Sequence, residues 1–151
     1  RRHLEGRDCR IVGVDNSPAM ISRCRELLTL DGGSVPVELR EEDLLDTPIV
    51  DASMVVLNYT LQFVAVEARL ELLTRIADAL APGGILVLSE KVVFPDARLQ
   101  QLNTDLHHDF KRAHGYSDLE IAGKRDSIEN VLVPESLEQH RQRITVGVTV
   151  T

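Results

Sequence analysis

The sequence predicts an α/β protein built on a parallel sheet, and three observations carry that prediction. Three short apolar runs, residues 11–14, 54–57 and 85–88, lack the polar alternation of a half-solvated strand, and each stops at a polar side chain. Stretches of helical periodicity separate them. Glycine pairs, Gly32-Gly33 and Gly83-Gly84, punctuate the ends of those stretches. Apolar strands alternating with helices mean a parallel sheet covered on both faces.

Taken in order, Ile11-Val12-Gly13-Val14 ends in Asp15 and leads at once into a helix start, with Ser17 as N-cap and Pro18 at the first helical position. Met20, Ile21, Cys24, Leu27 and Leu28 recur at helical spacing and predict the buried stripe, until Asp31-Gly32-Gly33 stops the helix. Residues 35–40 alternate as a strand and run into Glu41-Glu42-Asp43. Residues 53–58 read as a second buried strand closed by Asn58. Val66, Leu70, Leu73, Ile76, Ala77 and Leu80 predict one face of a helix that ends at Pro82-Gly83-Gly84. Ile85-Leu86-Val87-Leu88 is the third strand, ending in Ser89-Glu90-Lys91. From residue 95 to about residue 140 the texture turns polar and helical, with Leu99, Leu102, Leu106 and Phe110 in register and Leu119-Glu120-Ile121 further on. This reads as an inserted or capping helical region. The Val/Thr alternation of residues 144–151 reads as a strand.

The chain has 151 residues, 43% apolar and 27% charged, which fits one domain, residues 1–151, with a core over 9–91 and the helical insert over about 95–140. No apolar run approaches the roughly 20 residues of a membrane-spanning helix, so no membrane partner is expected. Seventeen basic against 24 acidic residues give a formal net charge of −7, which disfavours non-specific nucleic-acid binding. Two cysteines, Cys9 and Cys24, suit a reducing cytoplasm, and Cys24 falls on the apolar side of its helix as a plain buried thiol. The start, Arg1-Arg2-His3-Leu4-Glu5-Gly6-Arg7, has neither an initiator Met nor the apolar stretch of a signal peptide, so the native beginning is expected upstream.

In open parallel sheets, ligands bind beyond the carboxyl ends of the strands. Those ends carry Asp15, Asp43, Asn58 and Glu90. An acidic side chain after a strand accepts paired hydrogen bonds from a ribose diol, and Asp43 with the backbone at Leu44 suits an adenine edge. For Asp15 a second reading stands beside this one: it caps the turn before Ser17. His107-His108-Asp109 invites a metal, but adjacent helical residues point about 100° apart and no second cluster completes a site. No metal is expected.

Val14-Asp15-Asn16-Ser17-Pro18-Ala19-Met20, the acidic Glu42-Asp43 and Leu80-Ala81-Pro82-Gly83-Gly84 resemble a Rossmann-like class I S-adenosylmethionine-dependent methyltransferase. Residues 52–63, Leu88-Ser89-Glu90-Lys91 and residues 107–117 narrow the resemblance to the carboxy-S-adenosylmethionine synthase family. Glu120-Ile121, Lys124-Arg125 and Glu129-Asn130-Val131 agree, so the similarity runs from about Cys9 to about His140. The resemblance implies a cytoplasmic homodimer that converts S-adenosyl-L-methionine and prephenate to the carboxylated sulfonium and phenylpyruvate. The product would serve a separate enzyme that modifies a tRNA wobble uridine, leaving this protein without direct nucleic-acid binding. It further implies that Asp15 and Asn16 hold the ribose side, Asp43 and Leu44 lie against the adenine, Asn58 is near the methionine part, and Arg125 meets the second substrate. A guanidinium fork suits a dicarboxylate, since it can grip one carboxylate bidentately. A solvated helix face is the alternative for Lys124-Arg125.

The family pattern also places a strand and a Gly-rich turn before Ile11, at the centre of the sheet between the strands at 11–14 and 54–57. Gly6 stands alone in a charged context and cannot supply that turn. After His140 the family would finish with a strand pair rich in aromatics, which residues 144–151 lack. The expectation is therefore an incomplete sheet, a partial S-adenosylmethionine-binding domain that binds the cofactor weakly or not at all alone. Three rivals remain: a small-molecule methyltransferase, a nicotinamide-dependent dehydrogenase using Asp15, and a non-catalytic remnant.

Overall fold

The computed structural model describes residues 1–120, 122–123 and 131–147. They gather into two compact units, Arg1–Pro48 and Ile49–Thr151. The class is α/β, and every strand pair runs parallel.

The first unit is one strand–helix–strand turn. Strand β1 (Ile11–Asp15) pairs with β2 (Val37–Glu41) in the register Ile11↔Val37 to Asp15↔Glu41. Gly13 sits opposite Leu39, and a Cβ there would lie 2.9 Å from Leu39 Cδ2, so a larger residue would require the Leu39 side chain to shift. Helix α1 (Pro18–Asp31) opens as expected, with the Ser17 hydroxyl accepting from the Met20 amide, and closes at Gly32 with φ 64°. Its buried stripe is narrower than the periodicity predicts. Ile21 is buried, Cys24 and Leu28 are half-buried, and Met20 and Leu27 are exposed, because a two-stranded pair offers the helix too little sheet to cover the full stripe. Cys24 is thus not the fully buried thiol expected. Arg1 ties the unit's beginning down by donating to the Val35 carbonyl at 2.9 Å.

The second unit starts with β3 (Ala52–Asn58), crosses through short 3-10 turns at Leu61–Phe63 and Val66–Ala68 into α2 (Arg69–Ala79), and returns as β4 (Leu80–Ser89). The predicted helix face is shifted: Arg69, Leu72, Leu73 and Ile76 are buried, whereas Val66 and Leu70 are exposed. The helix also ends earlier than Pro82-Gly83-Gly84. Those residues lie inside β4, where the register jumps from Ala52↔Leu80 to Met54↔Ile85 and the chain bulges. The bulge selects its glycines. Gly83 holds φ 78°, and a Cβ on Gly84 would lie 2.8 Å from the Ala81 carbonyl oxygen and 3.0 Å from that of Ala52.

A second parallel pair, β5 (Val92–Val93) with β6 (Glu135–Ser136), follows in the same unit. Helix α3 (Ala97–Ala113), capped by Asp96, supplies the first part of the expected helical region. Helix α4 (Leu137–Gly147) packs on α2 and overturns the strand predicted from residue 144 onward. Val/Thr alternation favours strands only weakly, and burial on a neighbour decides. Gly147 lies against α2, its absent Cβ 3.3 Å from Leu70 Cδ1 and 3.7 Å from Leu73 Cβ. Residues 148–151 lie outside the described residues. Among the described residues no helix is long and apolar enough to cross a membrane.

Candidate functional site

A parallel pair brings both carboxyl ends to one edge, so in the first unit Asp15 closes β1 beside Glu41, the last residue of β2. Asp15 is half-buried, and its Oδ1 accepts from the Ser17 amide at 2.8 Å. The capping reading is therefore correct for one oxygen. The other has no partner among the described residues, so a hydroxyl donor could still be met there. Asn16 beside it is exposed.

Asp43 follows β2 by two residues and folds the chain tightly. Its Oδ1 accepts from the Leu45 amide at 2.8 Å, and its carbonyl accepts from the Asp46 amide at 3.0 Å and the Thr47 hydroxyl at 2.9 Å. Leu44 is held half-buried in the middle of that turn. Asp15, Asn16, Asp43 and Leu44 thus share the carboxyl edge of one strand pair.

The equivalent edge of the second unit carries Asn58 and Ser89, which are register partners. Asn58 is exposed, and Tyr59 after it adopts φ 54°. For a residue with a Cβ that left-handed backbone costs about 1–2 kcal/mol. Four neighbours hold it and the segment that follows, among them the Gln62 side-chain amide, which donates to the Tyr59 carbonyl at 3.4 Å. The Tyr59 amide donates to the Ser89 carbonyl at 2.7 Å. Glu90, half-buried, accepts from the amides of Thr60 at 2.9 Å and Leu61 at 2.7 Å on Oε1, and of Gln62 at 3.2 Å on Oε2. Arg69 donates to the carbonyls of Val64 at 2.9 Å and Gln62 at 3.4 Å.

Arg69 also anchors a buried network the sequence reading missed. It is fully buried, pairs with Glu135, and donates to the Val133 carbonyl at 2.8 Å, while Arg143 grips both oxygens of Glu135. Burial of Glu135 works to raise its pKa, but the hydrogen bonds from Arg143 and Arg69 outweigh it and hold the carboxyl below its ordinary value. A signal for Arg69 was present: with Leu72, Leu73 and Ile76 it completes the i, i+3, i+4, i+7 spacing of a buried face.

Arg125 lies outside the described residues, as do Ile121, Lys124, Glu129 and Asn130. On α3, burial lowers the pKa of His107, helped by Lys111, Lys91 and His108. No group of three or more metal-ligating side chains converges among the described residues. An open groove of about 340 Å³ lies between Ile49, Val50, Asp51, Arg75, Asp78, Ala79 and Leu80. It sits where β3 and β4 begin, the opposite end from Asn58 and Glu90.

Residues 1–84 match the family described as Methyltransferase domain. A carboxy-S-adenosyl-L-methionine synthase of Marinobacter nauticus is 58% identical over 137 residues, which cover 91% of this chain and 55% of that protein. One from Pseudomonas syringae is 55% identical over 148 residues, covering 95% of this chain and 60% of that protein. The chain thus spans little more than half the length of the curated relatives it matches. Among solved structures, the YcgJ protein of Bacillus subtilis superposes with a TM-score of 0.63 at 14% identity, over 91% of this chain and 51% of that one. At that identity the likeness bears on the fold alone.

Proposed function

Because this chain belongs to the methyltransferase-domain family, we propose that it carries the S-adenosylmethionine-binding part of a carboxy-S-adenosyl-L-methionine synthase. The observation that carries the reading is identity of 58% over 137 residues to a protein of that name, at a level that spans both compact units. The whole chain, residues 1–151, serves as one partial binding domain, with the core over 9–91 and an insert or cap over about 95–140.

The residues fit the cofactor's chemistry. Asp15 keeps a carboxylate oxygen without a partner among the described residues at the carboxyl edge of β1, where a ribose hydroxyl would donate, and Asn16 flanks it. Asp43 and Leu44 line the adenine from the turn after β2, and Asn58 meets the methionine end from the end of β3. Arg125 binds a carboxylate of prephenate through its guanidinium fork and orients it. When bound, S-adenosylmethionine would supply a sulfonium methyl that gives up one proton and gains a bond to the carboxyl carbon of prephenate, whose ring–carboxyl bond breaks as its hydroxyl leaves with that proton as water and the ring aromatises to phenylpyruvate. The reaction needs a dry pocket that keeps the transferring carbon beside the sulfonium. The protein works as a cytoplasmic homodimer, and its product feeds modification of a tRNA wobble uridine by a separate enzyme.

A second reading, transfer of the methyl group to a small molecule, is favoured by the description of the family matched over residues 1–84. One experiment separates the two. The chain, and a version completed to its relatives' length, are mixed with methyl-deuterated S-adenosylmethionine and prephenate and followed by mass spectrometry. The completed version is expected to yield the carboxylated sulfonium with one deuterium lost. Intact transfer of the labelled methyl to an acceptor would establish the methyltransferase instead, and neither product would leave a non-catalytic remnant.

A further inference from the structure

We propose that Glu90 is a positioning residue of the site, setting the backbone after β3 so that Asn58 faces the cofactor. The inference rests on the reading of Asn58 given above and assigns Glu90 no contact with substrate.

Glu90 stands just past the end of β4, and it reaches across to the segment that leaves β3, 28 to 30 residues away in sequence. Its two oxygens take three successive amides, Thr60, Leu61 and Gln62. A carboxylate accepting several backbone N–H groups is a short, charge-assisted anchor, and its planarity fixes direction as well as distance. Arg69 holds the same segment by its carbonyls, at Gln62 and Val64. The loop is therefore gripped by its donors from Glu90 and by its acceptors from Arg69.

Such a grip has a target. Tyr59, between Asn58 and the first amide Glu90 takes, is one of only two non-glycine residues with positive φ among the described residues. Strained backbone persists where the surroundings over-determine it, and it concentrates at binding and catalytic sites. Without Glu90, Tyr59 relaxes toward ordinary φ, and the peptide that carries Asn58 turns with it.

The test uses Glu90→Ala and the near-isosteric Glu90→Gln in a chain completed to its relatives' length. Binding of S-adenosylmethionine is read by calorimetry, and backbone amide exchange is read by NMR. Glu90→Ala is expected to speed exchange at Thr60, Leu61 and Gln62, leave the buried α2 amides of Leu72, Leu73 and Ile76 protected, and weaken binding on the order of tenfold or more. Glu90→Gln, which keeps one acceptor oxygen, is expected to rescue part of both. Faster exchange at the three amides with binding within about twofold of wild type would overturn the proposal, leaving Glu90 a structural clamp. A wild-type chain that binds S-adenosylmethionine without making the carboxylated product would sink the reaction but leave this result standing. No binding by wild type would overturn both.

Discussion

Arg69 and Glu135, 66 residues apart in the chain, form a buried ion pair that joins the start of α2 to β6. Arg143 of α4 completes the network on the same carboxylate, so one acidic group holds two guanidiniums inside the second unit. Taking charges out of water is expensive, and here the cost is offset only while every partner is present. Glu135→Gln leaves two cations facing each other with their charge uncompensated. It is expected to lower unfolding free energy by about 3–5 kcal/mol, measured from the urea midpoint. An effect under about 1 kcal/mol would mean that the pair is hydrated as a surface bridge is.

The same carboxylate makes stability fall in acid. Although burial alone works the other way, Arg143 and Arg69 keep the folded pKa of Glu135 below its ordinary value of 4.5. A depressed folded pKa contributes stability that is fully present above the unfolded pKa and is lost as pH falls through the folded one. Urea unfolding is therefore expected to hold steady from about pH 7 to pH 5 on account of this group and to weaken below about pH 4.5. In Glu135→Gln, part of that acid-dependent loss disappears. An unchanged slope in the variant would assign the acid sensitivity to other carboxylates.

How far these features could be read from sequence alone follows from the range of the forces behind them. The strand ends at Asp15 and Asn58 are visible because an apolar run stopping at a polar residue is a local pattern. Ser17 and Gly32 are visible because caps satisfy groups within one helical turn. Arg69 was hidden by its residue type, since a charged side chain is not counted in an apolar stripe even when its spacing fits. Its partner Glu135 lies far along the chain, and no local pattern links the two. The helix through Ile144 and Val146 was misread for the same reason: alternation is local, whereas the contact of Gly147 with Leu70 is made across two helices. Of the candidate site, the positions of Asp15 and Asp43 at one edge follow from the parallel register. The use of Glu90 as an anchor for three amides required the crossover to be folded.

Asp15 is where two roles can be separated by one atom. Its Oδ1 caps Ser17, while the remaining oxygen is the proposed ribose acceptor. Asp15→Asn keeps an acceptor for the Ser17 amide and removes the charge. It is expected to change stability by less than about 0.5 kcal/mol yet weaken S-adenosylmethionine by roughly tenfold or more, the loss of a charge-assisted hydrogen bond. Asp15→Ala is expected to lose both, with about 1 kcal/mol from the missing cap. Thermal melts and calorimetry on the pair decide it. Equal cofactor affinity in wild type and Asp15→Asn would leave Asp15 a cap and nothing more.

The bulge of β4 and the end of α4 give opposite expectations for the same substitution. At Gly84 an added methyl meets backbone on two sides, the carbonyl oxygens of Ala81 and Ala52 at 2.8 and 3.0 Å, and neither can move without breaking the register with β3. Gly84→Ala is expected to cost about 1–3 kcal/mol, as overpacking does. At Gly147 the nearest atom is Leu70 Cδ1 at 3.3 Å, the far end of a side chain that is 40% exposed and can turn aside. Replacing a helical glycine with alanine also returns about 0.5–1 kcal/mol of backbone entropy. Gly147→Ala is therefore expected to be neutral or stabilising by thermal melt. If it destabilised the chain as much as Gly84→Ala, the packing of α4 on α2 would have to be as rigid as the strand pairing, and Leu70 would have to be fixed in place.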